Sequence, residues 1–191
     1  MGRDKLKLTV GGVSILRRAC EALHESCDEV LIVVAGASEP AGLPTDARTV
    51  RDLRSDDGGS GAGPLAGLEA GLYHARYPEA FVAAGDMPFL SPELVSEALR
   101  RLRLGGAHAV VPRVSGRWEP LCAAYSREAL DHASRALDEG VRAVRDLVEA
   151  LPEVAELTAE DLRRFGEPEL LLMNVNSPED LARAREAAGG E

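Results

Sequence analysis

Aromatic side chains are scarce in this sequence: three Phe, three Tyr and one Trp in 191 residues. Readers of single-stranded nucleic acid stack bases on such rings, and this chain has too few to build that platform. Positive charge is also in deficit, with a formal net charge of −10. An acidic surface repels a phosphate backbone, which argues against non-specific DNA or RNA binding. Any phosphate the protein handles therefore needs a local cation or a metal ion. No apolar run approaches the roughly 18 residues that cross a bilayer. The charged opening, Met1-Gly-Arg-Asp-Lys-Leu-Lys, has no long apolar stretch behind it of the kind a signal peptide carries. Cysteine is limited to Cys20, Cys27 and Cys122, an odd number without paired spacing, which fits a reducing compartment. The expectation is a cytoplasmic protein with neither nucleic acid nor membrane as partner.

What the sequence does have is an ordinary globular balance, 45% apolar and 28% charged. A chain of this length suits one domain, 1–191, burying about 70% of its unfolded surface without metal or disulfide staples. The segment 14–26 has apolar residues at helical spacing. Glu29 to Ala35 is a short β-branched run suited to a strand buried on both faces. Further strands are expected at 48–53, 80–84, 107–112 and 170–175, with an antiparallel one at 119–125. Helices are expected from Leu65 to about Tyr77, after Ser91-Pro92-Glu93, at 127–139 and 141–150, and after Ser177-Pro178. This alternation predicts an α/β fold with a mostly parallel sheet and helices on both faces. In such sheets ligands bind beyond the carboxyl ends of the strands. That rule marks the loop after Leu53, the pair Gly85-Asp86, and Asn174-Val175-Asn176.

Several motifs read as bland on inspection. Gly61-Ala-Gly-Pro-Leu-Ala66 matches a dinucleotide fingerprint, but the polar stretch 54–60 stands where a strand should run into it. Backbone N–H groups near Gly63 to Gly67, edging a nucleotide or phosphate pocket, are the better reading. No P-loop sequence is present. Cys20 and Cys27 fall on the apolar stripe of the first helix, where a thiol packs as a small hydrophobe and His24 sits at the rim. Ser126 and His132 have no matching acid for a hydrolase triad.

Asp86 is the most suggestive single residue. It follows a buried strand in Ala84-Gly-Asp-Met-Pro88, where a carboxylate is either a hard oxygen ligand for Mg²⁺ or a turn-forming Asp. Asp52, ending another strand, has the same two readings. Lys5, beside Asp4, is either a phosphate-contacting cation or a surface lysine.

Taken in order, Met1-Gly-Arg-Asp-Lys5, Arg51-Asp52, Gly63-Pro-Leu-Ala-Gly67, Gly85-Asp-Met-Pro-Phe-Leu-Ser91, Glu119-Pro-Leu121 and Asn174-Val-Asn-Ser-Pro-Glu-Asp-Leu181 form a set. The set resembles the molybdenum cofactor guanylyltransferases of the MobA type over nearly the whole chain. The resemblance implies a Rossmann-like nucleotidyltransferase fold. It implies transfer of GMP from GTP to the phosphate of molybdenum-bearing molybdopterin, with pyrophosphate leaving. By position Lys5 matches the family's phosphate-binding lysine, Asp52 its nucleotide-binding aspartate and Asp86 its Mg²⁺ ligand. Asn174 and Asn176 would lie near the pterin substrate. Partners of this kind would be GTP, molybdopterin, and molybdoenzymes or cofactor-assembly proteins.

The chain departs from the family pattern at its start. Met1 aligns with the methionine of Met-Gly-x-Asp-Lys, so the family's preceding strand and glycine-rich loop have no counterpart. The expectation is a single domain truncated at its N-terminus, with open sheet edges where that strand belongs. Rival readings are a cytidylyltransferase for the same pterin, another small-molecule-phosphate nucleotidyltransferase, and a non-catalytic cofactor-assembly partner. GTP and CTP are not distinguished by the residues alone.

Overall fold

The computed structural model describes residues 8–35, 44–54 and 63–189. The chain opens with a small hairpin, β1 (Thr9–Val10) and β2 (Val13–Ser14), turned by Gly11-Gly12. Both glycines have positive φ, 58° and 74°, the conformation a two-residue hairpin loop demands. Helix α1 (Ile15–His24) follows, capped by the Ser14 hydroxyl, which accepts from the Arg17 N–H. Strands β3 (Leu31–Val34) and β4 (Arg48–Arg51) pair in parallel. Then come α2 (Pro64–His74), β5 (Glu79–Ala83), α3 (Pro92–Gly105), β6 (Ala109–Val114), β7 (Arg117–Trp118) and β8 (Cys122–Ser126). The chain continues through α4 (Ala129–Asp138), α5 (Val144–Ala150), β9 (Val154–Thr158), α6 (Ala159–Leu162), α7 (Pro168–Leu171) and α8 (Pro178–Ala187).

Side-chain alternation along β6 and β8 explains why helices cover both faces. Ala109, Val111, Ala123 and Tyr125 pack with α2, α4 and α5. Val110, Cys122 and Ala124 point the other way, against α3 and α6. Period-two strands between two helical layers make the expected α/β fold. The expectation of a mostly parallel sheet needs correction for the described residues. Strands β5, β6 and β9 share one direction, but β8 lies between β5 and β6 and runs against both. Insertion of one reversed strand turns a parallel neighbourhood into two antiparallel pairings, and β7 adds a third. Parallel pairing survives between β3 and β4 and between β6 and β9.

A second correction concerns 170–175, read above as a strand. Pro168 takes the first helical position of α7, and Leu172 and Met173 complete its turn through N–H bonds to Pro168 and Leu170 carbonyls. Leu171 is buried by this helical turn and Met173 and Val175 by the irregular chain after it, without strand pairing, while Leu170 is exposed. Strand β9 went unread because Val154–Thr158 mixes apolar and polar residues without a β-branched run.

The sheet is interrupted among the described residues. Among the described residues β3 and β4 form one two-stranded sheet and β5 begins another. Between β3 and β5 lies a cavity of about 420 Å³, lined by Leu16 and Cys20 of α1, Leu99 of α3, Leu68 of α2, Val33 and Phe81. Cys20 and Cys27 sit on its wall, as core-type thiols; burial pushes Cys20 up to about 11. His24 turns away from them, 3.2 Å from Asp46.

Candidate active site

Three chain segments meet at one end of the strands. The turn after β5, Gly85-Asp-Met-Pro88, is fixed from two sides. Val175 N–H donates to the Asp86 carbonyl at 3.0 Å, which draws the Asn174–Asn176 segment against it. From the other side Arg18 of α1 donates to the Pro88 carbonyl at 2.9 Å and lies over the Phe89 ring. Beneath the turn, Val10, Ile15, Met173, Val175 and Ala184 form a small apolar core with Leu8 and Phe89. Asp86 and the Asn174–Asn176 segment, widely separated in sequence, are therefore neighbours. The Asp86 side chain is half-buried, three residues past the end of its strand.

Within the asparagine segment the roles divide. Asn174 donates from Nδ2 to the Leu172 carbonyl at 3.2 Å, closing its own turn. Asn176 is exposed, and its backbone N–H donates to Asp180. Asp180 and Ser177 form a reciprocal capping box for α8, an arrangement worth about 1 kcal/mol. Those backbone bonds from Asn176 and Ser177 hold the Asp180 carboxyl below its usual range. The Ser-Pro-Glu-Asp part of the motif thus builds a helix start, and its asparagines sit at the site's edge.

Asp52 directly follows β4. Its N–H donates to the Val34 carbonyl at 3.1 Å, continuing the β3–β4 ladder by one bond. The side chain is buried, and its Oδ1 accepts the Arg54 N–H at 2.8 Å. Arg54 in turn grips Glu69 of α2 with two bonds, 2.9 and 2.7 Å, and pairs with Asp138 of α4. Glu69 is 3% exposed and also accepts from the Ser134 hydroxyl at 2.7 Å. The guanidinium against both carboxylate oxygens holds Glu69 below the usual carboxylate range. This clamp escaped the sequence reading. The signal for it was a lone acidic residue inside the apolar helix Pro-Leu-Ala-Gly-Leu-Glu-Ala.

The start of α2 behaves differently from the reading of its amides as a phosphate edge. Leu65 N–H donates to the Arg142 carbonyl and Ala66 N–H to the Gly63 carbonyl, both at 3.2 Å. These donors are engaged within the protein. Gly63 holds φ at 89°, and a Cβ there would meet the Arg142 carbonyl at 3.2 Å, so glycine is required on two counts. Gly61 lies outside the described residues, as does Lys5, so the expected phosphate contact of Lys5 is placed neither near the site nor away from it.

Glu119, quoted above only as part of a motif, adjoins the site through the chain. Leu121, two residues on, accepts the Ala84 N–H at 2.9 Å, beside Gly85-Asp86. Burial pushes the Glu119 carboxyl up, with Arg117 opposing the shift. His132 packs edge-on against His108 with ring centroids 5.3 Å apart, and the buried Ser126 hydroxyl oxygen has no hydrogen-bond partner among the described residues.

A buried Asp52 after one strand, a half-buried Asp86 in a tight turn after another and, among the described residues, no nucleophile–base pair suit a site that positions a substrate's own nucleophile. The MobA-like NTP transferase domain matches residues 1–157. The chain belongs to that family. A MobA-like transferase is accordingly an enzyme of nucleotidyl transfer. The probable molybdenum cofactor guanylyltransferase of Pelotomaculum thermopropionicum is 35% identical, over 97% of this chain and 85% of its own length. That of Methanosarcina mazei is also 35% identical, over 93% and 80%. Among solved structures, a molybdopterin-guanine dinucleotide biosynthesis protein A from Archaeoglobus fulgidus superposes with a TM-score of 0.82 at 28% identity, covering 97% of this chain and 91% of that one. A 2-C-methyl-D-erythritol 4-phosphate cytidylyltransferase from Thermus thermophilus, at 24% identity and a TM-score of 0.71, shares the fold.

Proposed function

We propose that this MobA-like transferase moves GMP from GTP to the terminal phosphate of molybdenum-bearing molybdopterin. A phosphate oxygen of the pterin attacks the α-phosphorus, the bond to the β-phosphate oxygen breaks, and pyrophosphate leaves. The observation that carries this reading is the Val175–Asp86 bond, which sets the asparagine segment beside the Gly-Asp-Met-Pro turn. One segment suits a nucleotide phosphate and the other a second, polar substrate, so two substrates can meet end to end.

Roles follow from position. Asp52 holds the Arg54 N–H with Oδ1, and its Oδ2 is the oxygen that would accept a donor from the nucleotide. Asn174 and Asn176 would border the pterin side; Lys5 lies outside the described residues, and its role at the triphosphate rests on its match to the family motif alone. Among the described residues no three His, Cys, Asp or Glu side chains gather into a metal cluster. A single half-buried carboxylate at a strand end fits Mg²⁺, which keeps one or two protein carboxylates alongside phosphate oxygens. Asp86 would hold the ion, which supplies charge neutralisation at the phosphoryl oxygens. A fold relative from Mycobacterium tuberculosis is described in complex with manganese. The chain itself contributes orientation, which in phosphoryl transfer is most of the catalysis.

No helix among the described residues is long and apolar enough to cross a membrane. The proposed setting is the cytoplasm, with GTP and molybdopterin as substrates and a molybdoenzyme or assembly protein receiving the product. The test is pyrophosphate release with molybdenum-loaded molybdopterin and Mg²⁺, comparing GTP with CTP. Guanine dinucleotide product with GTP preferred by tenfold or more is expected. Preference for CTP would reassign the enzyme to cytidylyl transfer, and GTP binding without turnover would favour an assembly partner.

A further inference from the structure

Among the described glutamates that are not exposed, Glu29, Glu69, Glu79 and Glu97 each sit against an arginine: Arg48, Arg54, Arg103 and Arg101 in turn. Glu119 is the exception. Its carboxyl is half-buried and has no hydrogen bond or ion pair with a described residue. Burial pushes it up, and the Arg117 charge only opposes that push. A carboxylate drawn partly out of water without a partner costs free energy that the fold does not recover. Its backbone, by contrast, is fully engaged. Glu119 N–H donates to the Pro112 carbonyl at 2.9 Å, and the Glu119 carbonyl accepts from the Cys122 N–H at 3.1 Å. The next two carbonyls are taken as well, Pro120 by the Tyr125 hydroxyl at 2.7 Å and Leu121 by the Ala84 N–H at 2.9 Å. A rigid turn therefore carries an uncompensated acid.

That turn lies at the site's end of the sheet. Pro112 is near the carboxyl end of β6, and Ala84 leads from β5 into Gly85-Asp86. Burial, together with the Glu119 charge, pushes the Cys122 thiol up, so the carboxyl acts on the face where Cys122 packs with Met87 and Ala84. Laterally, β5 and its Asp86 turn stand between Glu119, which leads into β8, and Asp52, which follows β4 across the cavity. In the proposed roles Asp52 faces the nucleotide, so Glu119 falls on the acceptor's side. A carboxylate repels a phosphate group, so its counterpart there is the acceptor's ring system. An ionised carboxyl is an acceptor only, and its two oxygens suit two parallel donors. The ring N–H and neighbouring 2-amino group of a pterin are such a pair.

We propose that Glu119 sets acceptor specificity by accepting the ring N–H and 2-amino hydrogens of the pterin. This rests on the acceptor being a pterin, as proposed above. A lumazine, which has an oxo group in place of the 2-amino group, would set a carbonyl lone pair against a carboxylate oxygen. A site built around a donor–acceptor pair rejects such an analogue strongly, because its polar group is left unpaired. Glu119→Gln offers one acceptor and one donor, which matches the oxo edge instead. Guanine bears the same donor pair as a pterin, so the nucleotide needs its own arm of the test. Inosine triphosphate, which lacks the 2-amino group, supplies it.

Equilibrium binding reads the proposal without turnover. 6-Hydroxymethylpterin phosphate and its lumazine counterpart are titrated against the protein and against Glu119→Gln, following ligand fluorescence. The unsubstituted protein should bind the pterin roughly tenfold or more tightly than the lumazine, and Glu119→Gln should reverse that order. A merely structural role would weaken both ligands alike or neither. Titrations with GTP and inosine triphosphate should give a ratio that the substitution leaves unchanged. The proposal is overturned if the unsubstituted protein binds no pterin, if it does not prefer pterin to lumazine, or if that preference survives in Glu119→Gln. It is also overturned if Glu119→Gln erases a preference for GTP over inosine triphosphate, which would assign the carboxyl to guanine. Failure of the transfer reading looks different: a pterin preference that reverses as expected, without pyrophosphate release, would overturn guanylyl transfer and leave Glu119 as the reader of the ring.

Discussion

Strands β8 and β5 are neighbours of similar length and similar apolarity, yet they are buried very differently. In β8 the residues from Cys122 to Tyr125 are within 1% of full burial. In β5 every residue of Glu-Ala-Phe-Val-Ala is only half-buried, although α3 covers it on one face and α2 lies over the other. The difference is lateral. Strand β8 has β5 on one side and β6 on the other, whereas β5 has β8 alone among the described residues. Helical layers above and below a sheet do not bury a strand whose edge is open. Stability should therefore be concentrated in the β6–β8–β9 half and low in the β3–β5 half.

The largest expected effect is on that contrast itself. Tyr125 is fully buried and donates its hydroxyl to the Pro120 carbonyl at 2.7 Å. Tyr125→Ala should cost about 4 kcal/mol, the range for deleting a buried aromatic ring. Phe81→Ala, at the open edge, should cost about 1–2 kcal/mol, since its ring is already partly in water. Urea denaturation of both variants measures the gap. Equal losses would show that the two halves share one stability and would erase the distinction.

Next in size is an effect on chemistry. Asp86→Ala should lower guanylyl transfer by roughly a hundredfold or more, as removal of a main electrostatic group does. The backbone bond from Val175 to Asp86 does not need the side chain, so circular dichroism should stay unchanged. The assay belongs on a form with demonstrated turnover. Wild-type rates in the variant would remove Asp86 from the site.

Legibility did not follow this contrast: the strands of the open half were read at 29–35, 48–53 and 80–84, whereas β9 of the closed half was not. Helix starts announce themselves: Ser91-Pro92-Glu93 caps α3 through the Leu94 N–H, and Ser177-Pro178 caps α8. The antiparallel strand at 119–125 was readable as a short apolar run and lies at Cys122–Ser126. Its position between β5 and β6 was not readable, because strand order depends on non-local pairing that local pattern does not encode. The same limit applies to the site. Gly85-Asp86 was visible as a turn after a buried strand. The Arg54–Glu69–Ser134 clamp was not, because it joins three elements through side chains 15 and 65 positions apart in the sequence.

That clamp gives a smaller and sharper test of the open half. It ties the end of β4 to α2 and α4, across the weakly closed side of the sheet. Glu69→Gln removes the charge facing Arg54 and should loosen the Asp52 carboxylate that Arg54 holds. The KM for GTP should rise severalfold with kcat little changed, as loss of a uniform binding contact predicts. Asp52→Asn should do the same. Combined, the two changes should fall short of the product of their separate effects, because they act on one contact. A multiplicative result would separate Glu69 from nucleotide binding and leave it a packing role.

The smallest effect concerns acid, and it falls in the closed half. Arg101 of α3 donates to Asp161 of α6, and Asp161 also accepts from the Thr158 N–H at 2.9 Å. The Arg101 bond, aided by those from Thr158, lowers the Asp161 carboxyl from 3.8 to about 2. A carboxyl depressed on folding stabilises the native state while ionised in both states, above its unfolded value. Its contribution should be complete above about pH 5, fall as pH drops through 4, and be gone once the folded carboxyl itself takes up its proton near pH 2. Asp161 is partly exposed, so solvent screening limits the effect to roughly 1 kcal/mol. Asp161→Asn should therefore lower Tm by a few degrees at pH 7 and by about half as much at pH 3. The amide cannot take up a proton, so part of the slope of Tm against pH between 5 and 3 should disappear with it. An unchanged slope would mean that Arg101 holds Asp161 no more tightly in the folded chain than water does in the unfolded one. The acid sensitivity of the closed half would then have to come from Glu97, the other carboxyl that Arg101 engages, itself lowered to about 2.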